Sequence, residues 1–176
     1  FNCGSELKFS EVSCATAVSQ VFLNSNMAAA GGVLAALFMS LFMTGKMDVT
    51  MAINGAIAGL VSITADPLSP AGGTAVIVGA IGGAIVYASI VFLEKAGVDD
   101  PVGAISAHGT VGIYGVLVVS LTGGASFMGQ LTGVVMIAAF TYLTSLATIY
   151  VINMIMPIRA SDAEQEAGLD ISEVGI

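Results

Sequence analysis

His108 is the only histidine of the chain, and it lies in a stretch, 101–158, that holds no Asp, Glu, Lys or Arg. An ionisable side chain inside so long an uncharged run is costly to bury and marks a functional position. The alternative is a neutral ring hydrogen-bonded between helices. A neutral imidazole carries one donor and one acceptor, and burial in a narrow apolar conduit disfavours its charged form. Such a ring can guide a small polar neutral molecule or relay a proton, and is poorly suited to holding a bare cation in a wide pore. Phe1 and Ser5 form a second candidate set. An aromatic face attracts cations, and a hydroxyl oxygen accepts from an N–H donor; packing alone would also explain them. Asp99 and Asp100 precede Pro101, where helix capping accounts for them better than a catalytic carboxylate pair does. Thr64 and Asp66 either line a mouth or cap a turn. Asn24, Asn26 and Asn54 are expected to cross-link helices. Cys3 and Cys14 fit no metal-binding spacing; pairing outside the membrane is one reading, and two unpaired thiols at a helix entry is the expected one. There is no phosphate loop, metal cluster or nucleophile–base pair, so the sequence offers no support for an enzyme, a cofactor or a metal.

The elements that must position these residues follow from composition. Of 176 residues, 56% are hydrophobic and only 9% are charged, with a mean hydropathy of +0.97. Soluble domains carry about 25% charged residues, and disordered chains combine low hydrophobicity with high charge. An all-α integral membrane protein remains. A net charge of −8 with four Lys and Arg excludes a nucleic-acid partner. No charge falls between Glu11 and Lys46, between Asp48 and Asp66, or between Asp66 and Glu94. A spanning helix needs about 20 apolar residues. The pattern predicts five transmembrane helices, at about 15–43, 49–65, 71–93, 102–121 and 130–156, followed by an acidic, solvated tail at 159–176. Gly45, Asp66-Pro67, Gly97, Gly123-Gly124 and Pro157 supply the stops. The fifth helix, about 40 Å long, must tilt or project. Gly55 to Gly59 and Gly79 to Gly83 are small-xxx-small patterns that allow close helix contact. Lys46, Lys95 and Arg159 fall on one side of such a bundle and Lys8 on the other, which puts the C-terminus in the cytoplasm. A first residue other than Met, with no leader before it, reads as a piece of a longer polypeptide.

Several segments, in order, resemble the ammonium transporter (Amt/Mep/Rh) family. They are Phe1-Asn2-Cys3-Gly4-Ser5, Asn24-Ser25-Asn26-Met27-Ala28-Ala29-Ala30, Asn54-Gly55-Ala56-Ile57-Ala58-Gly59-Leu60-Val61, the stretch from Asp99-Asp100-Pro101 through His108-Gly109, and Gly168-Leu169-Asp170-Ile171-Ser172-Glu173. The resemblance covers nearly the whole chain. It implies the C-terminal part of an eleven-helix, inverted-repeat protomer, from the end of helix six through helix eleven and the cytoplasmic tail, usually assembled as a homotrimer in a plasma or bacterial or archaeal inner membrane. By position, Phe1 matches a gate aromatic, Ser5 the outer serine that receives ammonium, and His108 the second member of a pore histidine pair. Asp99, Asp100, Gly168 and Asp170 match helix-capping and cytoplasmic-coupling positions. The implied activity is recruitment of ammonium outside, deprotonation, and passage of ammonia past the histidines. The runner-up is an ammonium sensor that signals to a cytoplasmic partner. The implied soluble partner is a PII-type nitrogen-regulatory trimer. The other histidine, the other gate aromatic, the outer Trp and an outer acid belong to the half this chain does not contain. Two departures stand out: Asp66 lies where the family is usually uncharged, and Val174 where a histidine is common.

Overall fold

The computed structural model describes residues 1–169, and every regular element among them is helical. The chain divides into two units, Phe1–Val134 and the part from Val135 onward. The first holds α1 (Val12–Thr44), α2 (Val49–Ile63), α3 (Gly72–Lys95), a π-helical segment (Ile105–Thr110) that runs directly into α4 (Val111–Thr122), and the first turns of α5 (Phe127–Ile155). A 3₁₀ turn, Gly4–Glu6, precedes α1. The second unit holds the rest of α5 and a short helix, α6 (Asp162–Ala167).

Local chemistry sets the helix ends. Gly45 closes α1 in the left-handed region at φ 74°, its N–H donating to the Leu41 carbonyl. Asp48 then caps α2, its carboxylate accepting from the N–H groups of Thr50 at 2.7 Å and Met51 at 3.2 Å. Gly97, at φ 72°, turns the chain after α3, and the Val98 N–H donates back to the Leu93 carbonyl at 2.9 Å. Among the described residues, four spans are long and apolar enough to cross a membrane: α1, α3, the combined Ile105–Thr122 segment and α5. By contrast, α2 is a shorter apolar helix of 15 residues, about 22 Å at 1.5 Å per residue. It stops at Ile63, ahead of the Asp66-Pro67 turn, instead of running to 65.

One expectation, on the asparagines, needs correcting, and the exposed tail after Arg159 contains a short helix. Ser161 accepts from the Glu164 N–H while the Glu164 carboxylate accepts from the Ser161 N–H, a capping box that starts α6. The Ser161 hydroxyl, 2.6 Å from the Glu164 carboxylate, and then the Ser161 N–H hold the Glu164 carboxyl below its usual range. Of the three asparagines, only Asn24 hydrogen-bonds between separate elements among the described residues, donating to the Pro67 carbonyl at 2.9 Å. Asn26 and Asn54 donate to carbonyls of their own helices, at Phe22 and Thr50. Cys3 and Cys14 are both free thiols.

The first unit is organised around close contact of three backbones. A methyl placed on Gly59 or Gly79 would overlap the Ala28 carbonyl, and one placed on Gly83 would overlap the Gly32 carbonyl. Gly32 and Gly55 block each other in the same way. Thus one face of α1, Ala28 and Gly32, receives the Gly55/Gly59 pair of α2 and the Gly79/Gly83 pair of α3. Below this contact Ala58, Val86, Ala107 and Val111 form a buried cluster joining α2, α3, the π-helical segment and α4. Tyr114 fastens α4 to α3 by donating to the Val78 carbonyl at 3.3 Å. The Ser89 and Thr110 hydroxyls meet at 3.0 Å.

The glycine contacts make a discriminating prediction within α3. Gly79→Val should destabilise the protein by at least ~1–3 kcal/mol, because backbone cannot yield as a flexible side chain can. Gly73→Ala, where an added carbon meets nothing within 4 Å, should be neutral or slightly stabilising. Thermal unfolding of the purified variants in detergent checks both; equal midpoints would refute the packing argument.

Candidate functional site

His108 stands on the π-helical segment, not on regular α-helix. A π-helix adds a residue to the turn, is rarely longer than a bulge, and is found chiefly at functional sites. Two features hold it in place. On its inner side Ser106, Ala107 and Val111 are fully or almost fully buried. At its start the Asp100 carboxylate accepts from the Ile105 N–H at 2.9 Å and the Ser106 N–H at 3.0 Å. Desolvation works against the charged form of Asp100, but these backbone donors outweigh it and hold its carboxyl below the usual range. The Ser106 hydroxyl, completely buried, has no hydrogen-bond partner among the described residues; it lies near enough to the carboxylate to favour its charge. Gly103, at φ 73°, makes the turn between Asp100 and the π-helical segment, with Asn54 packed where its side chain would be. Asp100 caps the segment, and both Asp99 and Asp100 line a cavity of ≈ 430 Å³ with Glu94, Val98 and Pro101.

The His108 ring is exposed on this chain instead of buried in it. It faces a cavity of ≈ 370 Å³ whose wall includes Phe1, Asn2, Phe22, Ser25, Asn26, Ile57 and Thr64. A second opening of ≈ 290 Å³ lies beside the ring between Val61, Thr64, Gly112 and Val116. The fold thus brings Phe1 and His108 to one cavity from opposite ends of the first unit. Ser5 is not in that wall. It lines a neighbouring cavity of ≈ 230 Å³ with Asn2, Glu6, Thr64 and Leu68. Asn2 and Thr64 belong to both walls and are joined to each other, the Thr64 hydroxyl lying 3.3 Å from the Asn2 amide oxygen. Asn2 also donates to the Ser25 hydroxyl at 3.1 Å, which fixes the N-terminal segment against α1. Asn2 was overlooked as a site residue; the only cue was a polar amide between Phe1 and Ser5. Gly168 follows α6, at φ 95°, and Asp170 lies outside the described residues.

A polytopic helical membrane segment, with a histidine on a π-helical turn facing an open cavity, is the class of protein these features define. The model of the Ammonium Transporter Family matches residues 1–176, and the chain belongs to that family. It is similar to ammonium transporter Amt2 of Archaeoglobus fulgidus, 34% identical over 98% of this chain and 41% of that protein. It is also similar to ammonium transporter Amt2 of Methanocaldococcus jannaschii, 35% identical over 98% of the chain and 41% of that protein. Among solved structures, one described as a sensor Amt protein superposes with a TM-score of 0.86 and 27% identity, covering 98% of this chain and 44% of that one. Mep2 of Candida albicans superposes at a TM-score of 0.75 over 84% of this chain and 37% of that one; at 24% identity it shows the fold alone. The chain therefore spans less than half the length of the proteins it matches here.

Asp100 gives a pH-dependent prediction. Its carboxyl is held low in the folded protein, so its stabilisation is present above ~pH 4, the unfolded carboxylate value, and is lost as pH falls through the folded value. Asp100→Ala should cost about 1 kcal/mol at pH 7, and the gap from the parent should shrink as the pH drops below 4. Thermal midpoints of the two proteins against pH test this; a constant gap down to pH 3 would show that the charge is not what holds the segment.

Proposed function

We propose that this chain forms one wall of a pore that carries ammonium across a plasma or inner membrane as ammonia plus a separately moving proton. Membership of the ammonium transporter family supports the substrate. The observation that carries the mechanism is the single cavity lined by Phe1 and His108. On this reading Phe1 offers its ring to the incoming cation and Ser5 accepts one of its N–H groups. Ammonium gives up a proton and passes inward as ammonia. The neutral His108 ring exchanges donor and acceptor contacts with it, facing a second histidine from the half of the protomer this chain lacks. That half also closes the exposed side of His108 and removes it from water. The spans α1, α3, the His108-bearing helix and α5, with the shorter α2 between them, are the C-terminal five of eleven helices. The C-terminus is cytoplasmic, the assembly is a homotrimer, and no bond-making chemistry is catalysed. Asp99, Asp100, Gly168 and Asp170 couple the cytoplasmic face to the pore, where a PII-type regulatory trimer docks.

The sensor reading has one specific support: the superposition at a TM-score of 0.86 on a structure described as a sensor Amt protein. In that case ammonium occupies the same cavity and the tail hands the signal to a cytoplasmic partner. Transport measurements on the complete protein in proteoliposomes separate the two, since a sensor that conducts nothing gives no ammonium-dependent uptake.

His108→Ala in the complete protein should lower ammonium-dependent transport by about tenfold or more, equivalent to ~1.4 kcal/mol of barrier, or should admit potassium. Uptake assays with competing potassium read both effects. Unchanged rate together with unchanged selectivity would remove His108 from the pathway.

A further inference from the structure

Asn26 lies near the middle of α1 and lines the cavity of Phe1 and His108. It is exposed on this chain, and its side chain makes one hydrogen bond, from an amide N–H to the Phe22 carbonyl of its own helix at 2.8 Å. The amide oxygen and the second N–H have no partner among the described residues. Three other polar side chains of the wall are tied to one another. Asn2 donates to the Ser25 hydroxyl at 3.1 Å, and the Thr64 hydroxyl lies 3.3 Å from the Asn2 amide oxygen. Asn26 stands outside that set, and Phe22, Ile57, Leu60 and Val61 supply the apolar part of the wall.

A half-used amide in a membrane span is costly unless something completes it, and polar groups there mark pathways. A small neutral molecule that both donates and accepts does so. Ammonia gives an N–H to the amide oxygen and its lone pair to the spare amide N–H. The neutral His108 ring offers the same two functions from the π-helical segment. A bare potassium ion needs a ring of oxygens in place of its hydration shell; Asn26 offers one oxygen, beside an N–H that repels a cation. We propose that Asn26 is a specificity-determining residue of the His108 cavity, which holds ammonia through its spare amide oxygen and N–H and disfavours bare cations. The inference deepens the transport reading above and rests on it. The family resemblance assigns Asn26 no role.

The test uses the complete protein in proteoliposomes, with ammonium uptake measured alone and against potassium. Asn26→Leu, close in size but apolar, should lower the maximal rate by about two- to tenfold, the range that one lost hydrogen bond produces, while the thermal midpoint in detergent holds. Asn26→Gln keeps the amide and should recover part of the loss. Asn26→Asp, nearly isosteric, replaces the N–H by a charged oxygen and should raise potassium uptake above that of the parent. Unchanged rate in Asn26→Leu with unchanged selectivity in Asn26→Asp, beside a parent that transports, overturns the inference and leaves the transport reading standing. A lowered midpoint in Asn26→Leu, with no gain of potassium uptake in Asn26→Asp, makes the amide a tie to the half of the protomer this chain lacks and also overturns it. A parent without any ammonium-dependent uptake overturns both readings.

Discussion

Three helix backbones meeting through paired small residues is the constraint on which the rest of the first unit depends. In a bilayer the lipid tails are as apolar as a leucine side chain, so helices gain little from hiding apolar surface against one another. What holds them is dispersion between atoms brought to close range and the few polar contacts that such proximity permits. Ala28 and Gly32 on α1 meet Gly55 and Gly59 on α2 and Gly79 and Gly83 on α3 with no room for a methyl between them. The Ser62 hydroxyl, donating to the Ala58 carbonyl of its own helix, lies directly against Gly82 of α3. Since α2 is short, it has few turns with which to grip its neighbours, and these glycines occupy two of them.

The segment that carries His108 is held by different means. Its start is not on a helix, so its first N–H groups would be unpaired without a side-chain acceptor. Asp100 supplies it from five residues upstream of the segment's start, across the turn made by Gly103. The far end is anchored by burial of Ala107 and Val111 against Ala58 and Val86. Between these anchors the backbone takes a π-helical form, and one side of it, where His108 and Gly109 lie, is left uncovered by the rest of the first unit.

The cavities follow from this arrangement. Asn2 is the joint between the N-terminal segment, α1 and the end of α2, through Ser25 and Thr64. It draws Phe1 to the His108 cavity and leaves Ser5 and Glu6 in the adjacent one. Asn2 and Thr64 therefore stand between two chemically distinct spaces, one mainly aromatic and aliphatic around an imidazole, the other holding Ser5 and the Glu6 carboxylate. In a membrane interior, where uncompensated polar groups are costly, such a division of polar surface has consequences for what can occupy each space.

The sequence alone determined the helical, membrane-embedded character of the chain, because charge-free runs of spanning length have no alternative in water or lipid. It also identified the turn glycines and prolines and the small-residue faces, since these are local signals read from residue type and spacing. His108, Phe1 and Ser5 were marked by chemistry and by resemblance. Only the tertiary structure decided that Asn24 and not Asn54 bridges elements, that Asp100 and not Asp99 caps the His108 segment, and that Ser5 and His108 face different cavities. Those outcomes depend on the distance and direction of groups far apart in the chain. The π-helical turn was likewise invisible, because an extra residue in one turn leaves composition and hydropathy unchanged, whereas the burial of Ala107 and Val111 on either side of His108 is set by residues of neighbouring helices.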